Sequence, residues 1–213
     1  MAQITAQMVK DLREATGAGP LDCKKALELN DGDAQKAVEY LREKGLAKAA
    51  KKLNAGRSMQ EGVVEVYQHF NGRLAVIAEV NCETDFVAAT EAFQNFAKDV
   101  VMHIANMAPL YVKREEVPSA DFEAEKAMQL RILKEDEKNA SKPDNILEKI
   151  VEGRMDKWYQ DIVLLEQPFI KDDSKTIADL LQETVVKVGE SIQISRFSRF
   201  ALGEDDAADG EDE

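Results

Sequence analysis

Between Gly62 and Asn81 the chain alternates. Val64, Val66, Gln68 and Phe70 fall on one side, and Val63, Glu65, Tyr67 and His69 on the other. That is the two-residue period of a strand. Asn71-Gly72 interrupts it with the strongest short hairpin signal a sequence offers, since both residues tolerate the positive φ of a tight turn. Residues 62–70 and 73–81 are therefore predicted to be an antiparallel pair. A third alternating run, Ile192 to Leu202, ends the ordered part of the chain. From Glu91 to Met107 the period changes to a helical one, with Phe93, Phe96, Ala97, Val100, Val101 and Ile104 on one stripe. A small antiparallel sheet packed with helices on one side follows: an α+β core.

The N-terminal part is helical by pattern. Ile4, Met8, Val9, Leu12 and Ala15 recur at helical spacing behind Thr5, a candidate N-cap. Gly17-Ala18-Gly19 breaks that helix, and Pro20 can open the next at its first turn. The second helix ends near Asn30-Asp31-Gly32. Asp33 can cap a third, Ala34 to Lys44, which Gly45 is expected to stop. Leu46 to Arg57 then carries Lys48, Lys51, Lys52 and Arg57. This run is either a solvated linker helix or a basic arm for an acidic partner. It contains no aromatic residue to stack bases, which weighs against RNA.

In the second half, Pro109 ends the long helix and Tyr111-Val112 is extended. Ser119 is a candidate cap for a helix reaching about Asn139. Lys142-Pro143-Asp144 breaks it, and Asp144 can cap a helix from Ile146 to Asp156, with another from Trp158 to Leu165. Gln167-Pro168-Phe169 makes an extended turn. Ser174 or Thr176 begins a helix over Ile177–Val188 that Gly189 stops. The organisation expected is 1–54 as a three-helix domain, 55–203 as the α+β core, and 204–213 as an acidic, solvated tail.

Thr84-Asp85-Phe86-Val87 sits where the second strand turns into the long helix, a place where loops are held rigidly and often carry function. Two readings of it stand side by side. Phe86 caps the core and Asp85 caps the helix, or Phe86 is an exposed wedge for a partner, since aromatic residues dominate interface hot spots.

Several function classes are unsupported. There is no phosphate-cradling glycine loop after a strand, no nucleophile elbow and no zinc spacing. His69 and His103 read as packing or surface residues rather than ligands. Cys23 and Cys82, the only cysteines, suit buried free thiols in a reducing cytosol. No carboxylate pair stands out as acid and base, so no covalent catalysis, cofactor or metal is implied. The net charge is −13. Residues 1–58 carry 11 basic and 8 acidic groups, and the last ten residues carry 7 acidic and none basic. An acidic surface repels phosphate backbones, which disfavours nucleic acid as main partner. No run is apolar and long enough to span a bilayer, and no secretory signal opens the chain, so a cytoplasmic location is expected.

Three ordered segments carry a resemblance: Thr16 to Leu27 (TGAGPLDCKKAL), Asn81 to Val87 (NCETDFV), and Ile150 to Met155 (IVEGRM) followed by Leu165 to Phe169 (LEQPF). Together they resemble the elongation factor Ts family, exchange factors for the GTPase elongation factor Tu. The resemblance implies an N-terminal ubiquitin-associated-like three-helix module and a function in promoting GDP release. It implies that Phe86 inserts into the GTPase as a wedge, that Asp85 disturbs the water shell of its Mg²⁺, and that Thr84 and Val87 fix the corner. It implies N-terminal contacts from Leu12, Pro20 and Leu21, with a charged one from Lys52. Elongation factor Tu, GDP-bound or nucleotide-free, is the implied partner. Pro20-Leu21 departs from the two methionines usual there, which preserves an apolar contact and alters its shape. Long members carry a duplicated core half and a protruding helical hairpin. This chain is too short for both and is expected to pass from one core half to the closing segment, as in the short form, members of which are homodimers. The 149–169 segment reads chiefly as scaffold. The competing reading is a non-catalytic adaptor that uses the three-helix module to bind another protein.

Overall fold

The computed structural model describes residues 4–16, 18–53, 59–136 and 143–204, without the side chains of 46, 48–53 and 144. Its contacts group into two compact units. One holds residues 1–62, 82–93 and 181–193; the other holds 63–81, 94–180 and 194–213.

The first unit begins with three helices, α1 (Ala6–Thr16), α2 (Pro20–Leu29) and α3 (Ala34–Leu53). Local chemistry starts each one. Thr5 Oγ1 accepts from the Met8 N–H at 3.3 Å. Pro20 occupies the first turn of α2, where no N–H is needed. Asp33 Oδ1 accepts from the Gln35 and Lys36 N–H groups at 3.0 and 3.1 Å. Leu12, Cys23, Ala26, Leu27, Ala37 and Leu41 form the shared core. Gly45 does not stop α3, which runs on to Leu53. The Gly45 position is occupied closely from outside: a Cβ there would lie 3.2 Å from Val186 Cγ1. A methyl group there would need Val186 to shift by a few tenths of an ångström.

The second unit contains most of a three-stranded sheet of β1 (Glu61–Gln68), β2 (Leu74–Cys82) and β5 (Ile192–Ala201), in the order β1-β2-β5. The predicted hairpin forms, with Gly72 at φ 67° and the Arg73 N–H bonded to Asn71 Oδ1 at 3.0 Å. β5 runs antiparallel to β2, because the Leu202 N–H reaches Arg73 O at 2.8 Å and Ser195 Oγ reaches Asn81 Oδ1 at 2.5 Å. Val76, Ala78, Val80 and Ile194 are buried. So are Phe96, Ala97, Val100, Val101 and Ile104 of α5 (Glu91–Met107), the stripe and the bounds read from sequence. Val64, Val66, Ile77 and Phe200 of the strands are exposed, as are Phe70 and Leu202 in the turns just beyond β1 and β5.

A helical hairpin, α6 (Ser119–Glu135) and α7 (Asp144–Ile162), stands between α5 and the closing segment. Helices are expected over this stretch from the sequence, and these two fill it. Leu133, Leu147, Val151 and Met155 form its core, and Phe122 stacks on Tyr159 with centroids 5.8 Å apart. Three further details differ from expectation. Pro118, not Ser119, precedes α6, and Pro143, not Asp144, precedes α7. The two helices expected over 146–165 are one helix and a 3₁₀ turn, Leu164–Glu166. The part of α6 expected beyond residue 136 lies outside the described residues. A small hairpin not foreseen, β3 (Pro168–Phe169) with β4 (Asp172–Thr176), leads into α8 (Ile177–Val188). Thr176 starts α8 reciprocally: its Oγ1 accepts from the Asp179 N–H at 3.1 Å, and Asp179 Oδ2 accepts from the Thr176 N–H at 2.9 Å.

His103 is an internal fastener of this unit. It is fully buried, its Nε2 lies 2.9 Å from Gln167 Oε1, and its Nδ1 lies 3.4 Å from the Ile170 N–H. Since that backbone group can only donate, Nδ1 is the acceptor and Nε2 carries the hydrogen. Burial holds its pKa below the ordinary histidine value, against the opposing pull of the Gln167 hydrogen bond.

Candidate functional site

The corner is built at the end of β2. Asp85 to Ala88 form α4, a single helical turn. Thr84, not Asp85, is its N-cap, with Oγ1 accepting from the Val87 N–H at 3.4 Å. A threonine in extended backbone satisfies an N–H that a lone turn would otherwise leave bare. Val87 points inward and is buried, whereas Phe86 is 82% exposed. So the core-cap reading of Phe86 is wrong, and the helix cap falls to its neighbour two positions earlier. Asp85 is also exposed. The corner thus presents a ring and a carboxylate outward, on a backbone anchored from beneath by Val87.

A turn of four residues has no stability of its own, since helix nucleation is unfavourable. It is held instead by the segment that follows α8. The Glu190 carboxylate accepts from the Thr84 N–H at 3.1 Å and from the Thr84 hydroxyl at 2.9 Å. Glu83 Oε1 in return accepts from the Ser191 N–H at 2.9 Å. On the far side, Thr90 Oγ1 donates to Val87 O at 2.7 Å and accepts from the Phe93 N–H at 3.3 Å, which joins α4 to the start of α5. Behind the turn, the buried Cys82 thiol donates to Thr84 O at 3.1 Å. Burial pushes that thiol's pKa up.

The remaining predicted residues divide. Leu21 is 83% exposed and Pro20 beside it is also exposed. Leu12 is 3% exposed, because it fills the core of its own three helices; a direct surface contact does not suit it. Lys52 lies on the last turn of α3, and its side chain is outside the described residues. Among the described residues, no group of three or more metal-ligating side chains gathers, and both cysteines are free and buried. No described helix is long and apolar enough to cross a membrane.

Residues 3–204 match the family described as elongation factor TS. The chain belongs to the elongation factor Ts family. The elongation factor Ts of Carboxydothermus hydrogenoformans is 54% identical to it over 209 residues, covering 98% of this chain and 94% of that protein. That of Geotalea daltonii is 56% identical over 201 residues, covering 94% and 90%. That of a Thermoanaerobacter species is 54% identical, covering 94% and 96%. These relatives have nearly the same length as this chain, and the family is one of translation elongation factors. In this family member, sequence reasoning missed Glu190 and Ser191. Gly189-Glu190-Ser191 reads only as a helix stop, and nothing local marks a partner 106 residues earlier.

Proposed function

We propose that this member of the elongation factor Ts family accelerates GDP release from elongation factor Tu, with Thr84-Asp85-Phe86-Val87 as the element pressed into the GTPase. The observation that carries the reading is the exposed Phe86 ring on a pinned turn. An exchange factor makes and breaks no covalent bond. It binds the nucleotide-free GTPase more tightly than the GDP-bound one and so shifts the population. Mg²⁺ on the GTPase demands near-ideal octahedral geometry, so a small displacement of its surroundings loosens both metal and nucleotide. Phe86 acts as the wedge and Asp85 as the competing acceptor. Val87 and Thr84 keep the turn from yielding when the ring meets resistance.

Pro20 and Leu21 serve as the apolar contact of a three-helix docking module spanning 1–54, and Lys52 as a charged one. Leu12 acts from inside, by holding α1 and α2 together. The exposed apolar strand residues, Val64 and Val66 among them, with Phe70 in the adjoining turn, support a homodimer, which sedimentation at working concentration tests. Its place of action is the cytoplasm, where translation occurs.

The decisive experiment follows a fluorescent GDP analogue leaving elongation factor Tu in excess unlabelled GDP. Substoichiometric wild-type protein is expected to accelerate release, and Phe86→Ala to lose most of that effect. Acceleration by Phe86→Ala equal to wild type would refute the wedge. Equal binding to GDP-bound and nucleotide-free GTPase, without acceleration, would favour an adaptor.

A further inference from the structure

We infer that Glu190 is the positioning residue of the exchange corner. The inference rests on the exchange reading above and assigns a role to a residue outside the corner's own segment.

Phe86 cannot hold itself in place. It is exposed, so no packing fixes the ring, and its helix is one turn long. The geometry of that turn is set through Thr84, whose hydroxyl has two tasks. It accepts from the Val87 N–H, and it donates to the Glu190 carboxylate at 2.9 Å. A threonine hydroxyl has one hydrogen. By taking it, Glu190 turns a lone pair toward Val87. The same carboxylate also takes the Thr84 N–H. One anionic group therefore fixes both the backbone entering α4 and the rotor that caps it, through hydrogen bonds of the stronger, charge-assisted kind.

Glu190 is itself delivered with little freedom. The Gly189 N–H bonds Val185 O at 2.9 Å, and Gly189 turns the chain at φ 81°, so the residue after it leaves α8 in a defined direction. The Ser191 N–H to Glu83 bond closes the ladder from the other side. Upstream, α8 is tied to α3, where Arg42 Nη2 meets Glu183 Oε1 at 3.2 Å. The carboxylate that sets Phe86 is thus mounted on a helix braced by the same three-helix group that carries Pro20 and Leu21.

The test uses the full chain with wild type, Phe86→Ala, Glu190→Ala and the double variant. Two readouts are taken: the maximal rate of GDP release at saturating protein, and the labelling rate of the Cys82 thiol in a Cys23→Ala background. Cys82 sits against Thr84 O, so its accessibility reports opening of the turn without involving the GTPase. Glu190→Ala is expected to lower the maximal rate by about tenfold, the effect of one such interaction lost from a transition state. It is expected to speed Cys82 labelling, and to add less than about twofold to the defect of Phe86→Ala, because coupled residues are non-additive. A wild-type exchange rate in Glu190→Ala beside a defective Phe86→Ala overturns the positioning role and leaves the exchange reading standing. Defects that multiply in the double variant also overturn it. A wild-type rate in Phe86→Ala sinks the exchange reading itself. Should Glu190→Ala not fold, Glu190→Gln carries the test, since it keeps the size but replaces one acceptor by a donor facing Thr84. A reduced rate with faster labelling is expected, and wild-type values in both readouts overturn the inference.

Discussion

Replacing His103 by leucine separates a buried polar contact from a buried titration. The two side chains are of similar bulk, so the cavity contribution is small. What is lost is the Nε2–H donated to Gln167 Oε1, a group on a fully buried side chain, together with the weaker acceptance from the Ile170 N–H at Nδ1. A buried acceptor stripped of its donor costs roughly 1–3 kcal/mol, so His103→Leu is expected to be destabilised by about that much at pH 7.5. The pH dependence gives the sharper test. Burial lowers the folded-state pKa of His103 below its ordinary value of about 6.5. As pH falls through the window between those two values, the unfolded chain binds a proton that the folded one refuses. Wild-type stability therefore falls on acidification, by at most about 1.4 kcal/mol at one unit below the unfolded pKa. His103→Leu lacks this loss. Urea unfolding of the two at pH 7.5 and 5.5 should show the gap between them narrowing. A gap that stays constant would mean that His103 accepts its proton freely in the folded state, and the buried-neutral argument would be wrong.

Gly45→Ala is expected to stabilise the protein by about 0.5–1 kcal/mol in thermal melts, the usual helix-interior gain over glycine. The new methyl meets Val186, which is 45% exposed and can give way; a fall in melting temperature would show that it cannot. Val66→Lys, at an exposed strand position, should leave the protein monomeric in sedimentation under conditions where the wild type sediments as the proposed dimer, with little change in unfolding of the monomer. A dimer in both proteins would place the interface elsewhere.

Local signals in the sequence proved reliable where the cause is local. Thr5, Asp33 and Thr176 each cap a helix through their own side chains, and a residue's capping chemistry is visible wherever it stands. The α5 stripe and the hairpin at Asn71-Gly72 were legible for the same reason. Errors arose where tertiary packing outweighs propensity. Gly45 costs α3 only about 1 kcal/mol, too little to end a helix otherwise favoured. The corner motif could be located but not oriented, since nothing in Asp85-Phe86-Val87 says which apolar residue goes inward. Val87 does, because Thr84 takes the cap and sets the phase of the turn. Glu190 was beyond reach, since its role exists only once two distant segments lie side by side.

The buried thiol behind the corner has a chemical consequence. The thiolate, not the thiol, is the form that attacks peroxides and disulfides. Cys82 is fully buried, its hydrogen is given to Thr84 O, and its pKa is pushed up. Oxidation to a sulfenic acid would force an extra oxygen against the turn that carries Phe86. Keeping the sulfur protonated and enclosed makes that reaction slow, so the corner is shielded from oxidants for as long as the turn stays closed.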